Sequence, residues 1–201
     1  MNYPPFYDKV EKFILQDDLS AFLGATEDGV IEISYIDCVK LAGHSCPTVA
    51  GSYILTKVAI DKLFSNTTPK RSSIKISFKE PKDSGVVGVI GSVIGYILGS
   101  SDKGGFGGIG GKFNRKNLLS YNNDQQSGFV KFTNIQNNES VELNLDTSKV
   151  PGDPEMKELM QKSLLGAASK KEMLKFQQMW QARVEYMLLN PQIWKDIAKE
   201  I

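Results

Sequence analysis

The segment Leu-Ala-Gly-His-Ser-Cys-Pro-Thr at residues 41–48 contains the only histidine of the chain and one of its two cysteines. His44 and Cys46 stand directly before Pro47, which is typical of the first position of a helix because its φ is preset and it has no N–H to leave unpaired. Cys46 is therefore predicted to cap a helix, where the free N–H groups and the helix dipole favour a thiolate. Beside an imidazole, such a thiolate could act as a nucleophile with its base, or the two side chains could ligate a metal ion.

The same two residues could instead be structural. In that case His44 forms a hydrogen bond with a nearby carbonyl group, and Cys46 packs as a small apolar side chain. Zinc requires about four ligands, or three and a water molecule. Cys38 is predicted to lie on the core face of the preceding helix, and Asp37 is expected to cap that helix. A closed structural zinc site is therefore not expected, whereas an open site completed by water or by a ligand from a second copy of the chain remains an alternative.

Residues 102–116 form a glycine-rich, basic segment that is predicted to be a loop. It contains a GxGxxG string, but no βαβ pattern and no ribose-binding acid accompany that string, so a dinucleotide site is not predicted. A loop of this kind can present backbone N–H groups to an anion. We expect Gly107 and Gly110 to supply such groups, with Lys112 and Arg115 adding positive charge for a small anionic ligand. The alternative is a flexible surface loop with solvated side chains.

Two helices are predicted to position the histidine and the cysteine. A capping box of Ser34 and Asp37 begins a short helix that should end at Gly43 in a left-handed cap. A longer helix then runs from Pro47 to near residues 65–66, because apolar side chains recur at spacings of three and four. The turn between these helices carries His44.

The rest of the chain contains both strand and helix patterns. Strands are expected at residues 30–33, 74–78, 128–135 and 141–145, the last two forming a hairpin around Asn137 and Asn138. Helices are expected within residues 5–16, 85–99, 154–168, 170–189 and 191–201, of which 85–99 also has the β-branched content of a strand. The glycines of residues 85–99 fall near one stripe, which favours close packing by a second helix and a homodimer. These patterns predict an α+β fold, in which a mixed or antiparallel sheet packs against helices and the tail is helical.

The composition limits the class of protein. A chain of 201 residues with 41% hydrophobic and 23% charged residues is typical of a soluble globular protein, here one domain over residues 1–201. The net charge of +1 gives no electrostatic case for binding nucleic acid or an anionic membrane. The most apolar stretch, residues 86–98, is too short and too interrupted by glycine to span a bilayer. Two cysteines and no signal-peptide pattern predict a cytoplasmic protein with free thiols.

The sequence Gly-His-Ser-Cys-Pro at residues 43–47, at the start of a long helix, resembles the core domain of the family of formylmethanofuran dehydrogenase E-type subunits. The glycine- and valine-rich element that ends in a loop at residues 99–100 adds to the resemblance. The resemblance covers about residues 20–145, and residues 151–201 are expected to form a helical C-terminal extension. The family often carries Thr-Gly-Cys-Thr at the loop, where residues 98–101 of this chain read Leu-Gly-Ser-Ser, and the zinc finger of some members is absent.

The resemblance implies an α+β core, commonly paired as a homodimer, with His44 and Cys46 lining a cleft that can hold a metal, expected to be a divalent transition metal such as zinc. The leading hypothesis is therefore a metal- or small-ligand-binding protein, or an enzyme, whose cleft is closed by the loop at residues 104–112. The second is a metal-independent thiol enzyme with Cys46 as nucleophile and His44 as base. The third is a non-catalytic accessory subunit that grips a partner through aromatic side chains of its C-terminal helices: Trp180, Tyr186 and Trp194.

Overall fold

In the computed structural model, which describes residues 2–65 and 67–201, the chain folds into seven α-helices and seven β-strands, which confirms the α+β class. The strands are β1 (Phe13–Gln16), β2 (Val30–Ile33), β3 (Ile74–Phe78), β4 (Leu119–Ser120), β5 (Val130–Asn134), β6 (Ser140–Leu145) and β7 (Ala198–Glu200). The helices are α1 (Asp18–Leu23), α2 (Tyr35–Ala42), α3 (Pro47–Leu63), α4 (Val87–Leu98), α5 (Pro154–Leu164), α6 (Lys170–Leu189) and α7 (Trp194–Ile197).

The main sheet has five strands in the order β4-β3-β5-β6-β7. β4 is parallel to β3 and the other neighbours are antiparallel, so the sheet is mixed, as predicted. The predicted hairpin is confirmed as β5 and β6. Asn138 in its turn has a φ of 63°, a left-handed conformation that asparagine tolerates.

Helix α3 lies at the centre of the fold, against α2, α4, α6, α7 and strands β6 and β7. Eleven of its 17 residues are buried, because elements cover it on several sides rather than along one stripe. It begins at Pro47, as predicted, and ends at Leu63. The predicted end near Ser65 and Asn66 is therefore slightly too late, and Asn66 lies outside the described residues.

The helix expected within residues 5–16 is wrong. Pro5–Lys9 is a short 3-10 helix, and the end of the segment is strand β1, which pairs antiparallel with β2. Phe13 and Leu15 are buried while Ile14 between them is exposed, which is the two-residue period of a strand. Hydrogen bonds from a strand distant in sequence decide this conformation, and the local spacing of apolar residues did not reveal them.

The C-terminal part confirms the prediction for α6, whereas α5 ends at Leu164 instead of residue 168. For residues 191–201 the helical prediction is wrong in part. Helix α7 is one turn long, and Ala198–Glu200 forms β7, which pairs with β6. β6 would otherwise be an edge strand with unpaired backbone groups, and β7 satisfies them. Residues of α6, α7 and β7 belong to the same hydrophobic core as α3 and the sheet.

Helix α4 confirms the helical interpretation of the glycine-rich run, and Gly99 ends it with a left-handed φ of 66°. The glycines, however, face this chain itself. A Cβ atom added at Gly95 would lie 2.6 Å from the carbonyl oxygen of Ser100, and one at Gly91 would collide with the hydroxyl oxygen of Tyr121. The interpretation of the stripe as a surface for a second helix is therefore wrong, and the homodimer stays a prediction.

At 12 residues, α4 is shorter than a bilayer requires. More generally, none of the helices among the described residues combines the length and the apolar content of a membrane span.

The packing of Tyr121 against Gly91 gives a first test of the fold. The Tyr121 hydroxyl is buried and has no hydrogen-bond partner among the described residues. We expect Gly91→Ala to lower the free energy of unfolding by about 1–3 kcal/mol, because the methyl group overfills this contact. In a Tyr121→Phe background the same substitution should cost much less, since the clashing oxygen is gone. Urea denaturation of the unsubstituted protein, the two single variants and the double variant measures the coupling free energy between the two substitutions. An equal loss of stability from Gly91→Ala in both backgrounds would contradict this packing.

Candidate functional site

The histidine–cysteine turn lies where α2, α3 and α6 meet. α2 ends at Gly43 with a left-handed φ of 74°, and Cys46 is the N-cap of α3 in an extended conformation. Both features confirm the predicted helix ends. Between them, the buried Ser45 accepts hydrogen bonds at its carbonyl oxygen from Trp180 Nε1 at 3.0 Å and from Gln181 Nε2 at 3.4 Å. These two hydrogen bonds connect the turn to α6.

His44 is exposed, and its Nδ1 lies 2.9 Å from the carbonyl oxygen of Ala42. Because a carbonyl oxygen can only accept, Nδ1 must donate in this bond, and in the neutral imidazole the lone pair of Nε2 is then free. This is the bond expected if His44 is structural. It also produces the tautomer found in metal-ligating histidines, whose second ring nitrogen donates to a carbonyl or carboxylate oxygen.

Both thiols are buried, with Cys38 fully covered and Cys46 8% exposed. Burial raises the pKa of Cys38 to about 12, and the charge of Asp37 adds to the rise. The confirmed position of Cys46 at the start of α3 agrees with the reactive interpretation, while its burial in the core agrees with the structural one. The role of Cys46 as a nucleophile, with His44 as its base, stays a prediction.

The fit of a metal ion to this turn is incomplete. Among residues 2–65 and 67–201, no three histidine, cysteine, aspartate or glutamate side chains come together as ligands. His44 and Cys46 supply at most two of the three or four protein ligands that zinc takes. The residues present do not form a closed zinc site, so a divalent metal here stays a prediction that needs ligands from water or a second copy.

The glycine-rich loop contains a tight turn of its own. Ile109 and Lys112 exchange two backbone hydrogen bonds of 2.9 Å. The two residues between them, Gly110 and Gly111, have φ values of 56° and 77°, which glycine adopts without strain. Gly110 therefore shapes the turn, whereas Gly107 and Lys112 are exposed to solvent. The proposed contacts of these three residues with a ligand stay predictions.

The end of the loop packs on the N-terminal part of the chain. Phe113 stacks on Phe22 of α1, with ring centroids 5.0 Å apart. Arg115 Nη2 donates to both carboxylate oxygens of Asp17, at 2.9 and 2.6 Å. Asp17 is 2% exposed and also accepts a hydrogen bond of 3.0 Å from Arg71 Nη1. Two guanidinium charges against one carboxylate leave this cluster with a net charge of +1.

The two arginines differ in how fully their donors are used. Arg71 also donates from Nη2 to the carbonyl oxygen of Tyr96 at 2.7 Å and from Nε to that of Ile97 at 3.0 Å. These carbonyls belong to the last turn of α4, which favours a cation. Burial lowers the pKa of Arg71, and the charge of Arg115 adds to this effect. In Arg115, by contrast, Nε and Nη1 have no hydrogen-bond partner among the described residues.

Two pockets, of about 310 and about 260 Å³, flank this pair, and Arg71 and Arg115 line both. Gly91, Ser100 and Tyr121 lie in the wall of the first pocket. Neither His44 nor Cys46 lines either pocket. The predicted closure of the loop over the histidine–cysteine turn finds no support in these contacts and stays a prediction.

Sequence reasoning found Arg115 but missed Asp17 and Arg71. Asp17 is the N-cap of α1, where its carboxylate accepts from the N–H groups of Leu19 and Ser20. The preference of aspartate for this position could have indicated it. No local pattern marks Arg71, because its partners are a residue 54 positions away and the carbonyls of α4.

Comparison of this chain with family models, with curated proteins and with solved structures finds no match. The resemblance to the formylmethanofuran dehydrogenase E-type subunits therefore stays a prediction from the Gly-His-Ser-Cys-Pro turn.

The shared carboxylate can be tested by removing its charge. Asp17→Asn keeps a side-chain oxygen for the cap but leaves two guanidinium groups without an anion. We expect it to lower the free energy of unfolding by about 3–5 kcal/mol. Asp153→Asn is the matched control, because Asp153 is an exposed N-cap of α5 and asparagine caps about as well. Similar stabilities of the two variants in urea denaturation would contradict the role of Asp17.

The thiols give a second test. The raised pKa and full burial of Cys38 predict that Cys46 reacts faster with a small disulfide reagent in the folded protein at neutral pH. Single substitutions Cys38→Ala and Cys46→Ala assign the two rates, and measurement in denaturant, where both should be equal, is the control. If the protein that keeps only Cys38 reacts as fast as the one that keeps only Cys46, this ordering is wrong.

Proposed function

We propose that this chain binds a small anionic ligand, a carboxylate or a phosphate, in the pocket that Arg115 shares with α4. The observation that carries the proposal is the unequal use of the two guanidinium groups. Arg71 has a partner at each of its three nitrogens. Arg115 is held through Nη2 alone, which orients its remaining donors and leaves them unbonded within the described chain.

Charge and size both suit a small anion. The cluster of Asp17, Arg71 and Arg115 keeps a net charge of +1 at the pocket, and Lys82 in the same wall is neutralised by Asp102 at 3.0 Å. Hydrogen bonds between a guanidinium and a carboxylate or phosphate are short and charge-assisted, and they add geometric specificity. A volume of about 310 Å³ is at the lower end of small-molecule pockets.

The proposal narrows the hypothesis of a metal- or small-ligand-binding protein to its ligand-binding form. It places the ligand at the pair Arg71 and Arg115 instead of the histidine–cysteine turn. Of the residues that the sequence predicted to bind the anion, it retains Arg115. The alternatives, a thiol enzyme at Cys46 and an accessory subunit, have weaker support. Trp180 and Trp194, expected to grip a partner, donate their indole N–H groups to Ser45 and Met187 of the same chain.

The experiment is a titration with inorganic phosphate and with acetate at constant ionic strength, monitored by the ¹H–¹⁵N resonances of the Arg115 side chain and of the backbone amides that line the pocket. We expect saturable shifts, and in Arg115→Gln the backbone amides should report a loss of affinity of at least about tenfold. Lys112→Gln removes the same charge from the exposed tip of the same loop and should change the affinity less than about twofold. Equal losses in both variants would indicate diffuse charge attraction and would refute the site.

A further inference from the structure

A different pocket, of about 340 Å³, lies between α5, α6 and the segment before α5. Most of its lining is apolar and comes from five residues: Pro151, Met156, Met179, Ala182 and Tyr186. Two charged residues, Asp153 and Arg183, complete it. The volume lies within the range of about 300–1,000 Å³ that is typical of small-molecule sites, and methionine side chains adapt readily to the shape of a ligand.

Arg183 is the unusual member of this lining. Its Nη2 donates to the carbonyl oxygen of Thr147 at 3.2 Å, and its Nε is buried with no hydrogen-bond partner among the described residues. Among the described residues Arg183 also forms no ion pair, although Asp153 lines the same pocket. Within the described residues, this cation is therefore not paired with an anion. Arg183 is half-buried, and a guanidinium group beside apolar side chains can form a charge-assisted pair with a carboxylate that enters the pocket.

We propose that this pocket binds a small monocarboxylate with an apolar body, such as an aliphatic or aromatic acid. The carboxylate would pair with the guanidinium of Arg183, and the apolar body would cover Met156 and Met179. The carboxylate of Asp153 disfavours ligands with further negative charge, which separates this site from one for phosphate. The proposal is independent of the one for Arg115, because the two pockets share no residue.

The test uses octanoate as the probe and octanol as its uncharged counterpart, with the full chain labelled at the methionine methyl groups with ¹³C. We expect octanoate to shift the methyl resonances of Met156 and Met179 in a saturable way. The methyl group of Met187, which is fully buried and outside the pocket lining, is the internal control. Octanol should bind at least about tenfold more weakly, because it cannot form the charge-assisted pair. Equal binding of the two probes, or shifts confined to other methionines, would overturn the proposal.

Two substitutions separate the charge of Arg183 from the apolar lining. Arg183→Gln should weaken octanoate binding by at least about tenfold and leave octanol binding unchanged. Asp153→Asn keeps the cap of α5 and should tighten octanoate binding, since it removes a repelling charge. Lys157→Gln, on the exposed surface of α5, is the control for general charge effects. Unchanged octanoate affinity in Arg183→Gln, or weaker binding in Asp153→Asn, would refute the site. If Arg183→Gln does not fold, the two probes and Asp153→Asn still decide the question.

Discussion

The carboxylate of Asp17 joins four segments that are distant along the chain. It accepts hydrogen bonds from N–H groups in the first turn of α1, and it binds Arg71, which precedes β3. It also binds Arg115 at the end of the glycine-rich loop. Through Arg71 the same cluster reaches the last turn of α4. The guanidinium groups of Arg71 and Arg115 bind the same carboxylate, and without that anion the two positive charges would repel each other. The arrangement of these segments therefore depends on the buried negative charge of Asp17.

The pocket beside this cluster follows from the same arrangement. Arg71 holds the end of α4 close to the loop, and two glycines of α4 leave room for the chain to approach. Gly95 admits the carbonyl of Ser100, and Gly91 admits the ring of Tyr121. Side chains at these positions would separate α4 from its neighbours. The glycine stripe therefore forms a concave wall within one copy of the chain, whereas its spacing alone had suggested contact with a second copy.

The histidine–cysteine turn has a different physical basis. Local capping signals set its backbone, and α6 then covers it through Trp180 and Gln181. The hydroxyl group of Ser45, within the turn, also forms a hydrogen bond of 3.0 Å with the hydroxyl group of Tyr35. The C-terminal helices thus complete the surroundings of the turn, and β7 completes the main sheet. Helices α6 and α7 and strand β7 are consequently packed into the same core as the part that carries the family resemblance.

Features with local causes were predictable from the order of residues alone. The capping box at Ser34, the glycine at residue 43 and the proline at residue 47 set α2, the turn and the start of α3, because each acts on backbone groups within a few residues. The alternating pattern of β3 and the hairpin of β5 and β6 were predictable for the same reason. Arg115 was predicted from the basic loop to bind a small anion, which stays a prediction, and its ion pair with Asp17 was not predicted.

The remaining features depend on contacts between distant segments. Asp17 lies 54 residues from Arg71 and 98 from Arg115, and no periodic pattern reports a contact of that separation. β1 and β7 are strands because strands elsewhere in the chain offer them backbone hydrogen bonds, although the longer segments that contain them were predicted to be helical. Whether a thiol is buried, or a guanidinium keeps free donors, depends on which distant elements pack against it. These properties arise from long-range burial and pairing, which is why the candidate site emerged only from the folded chain.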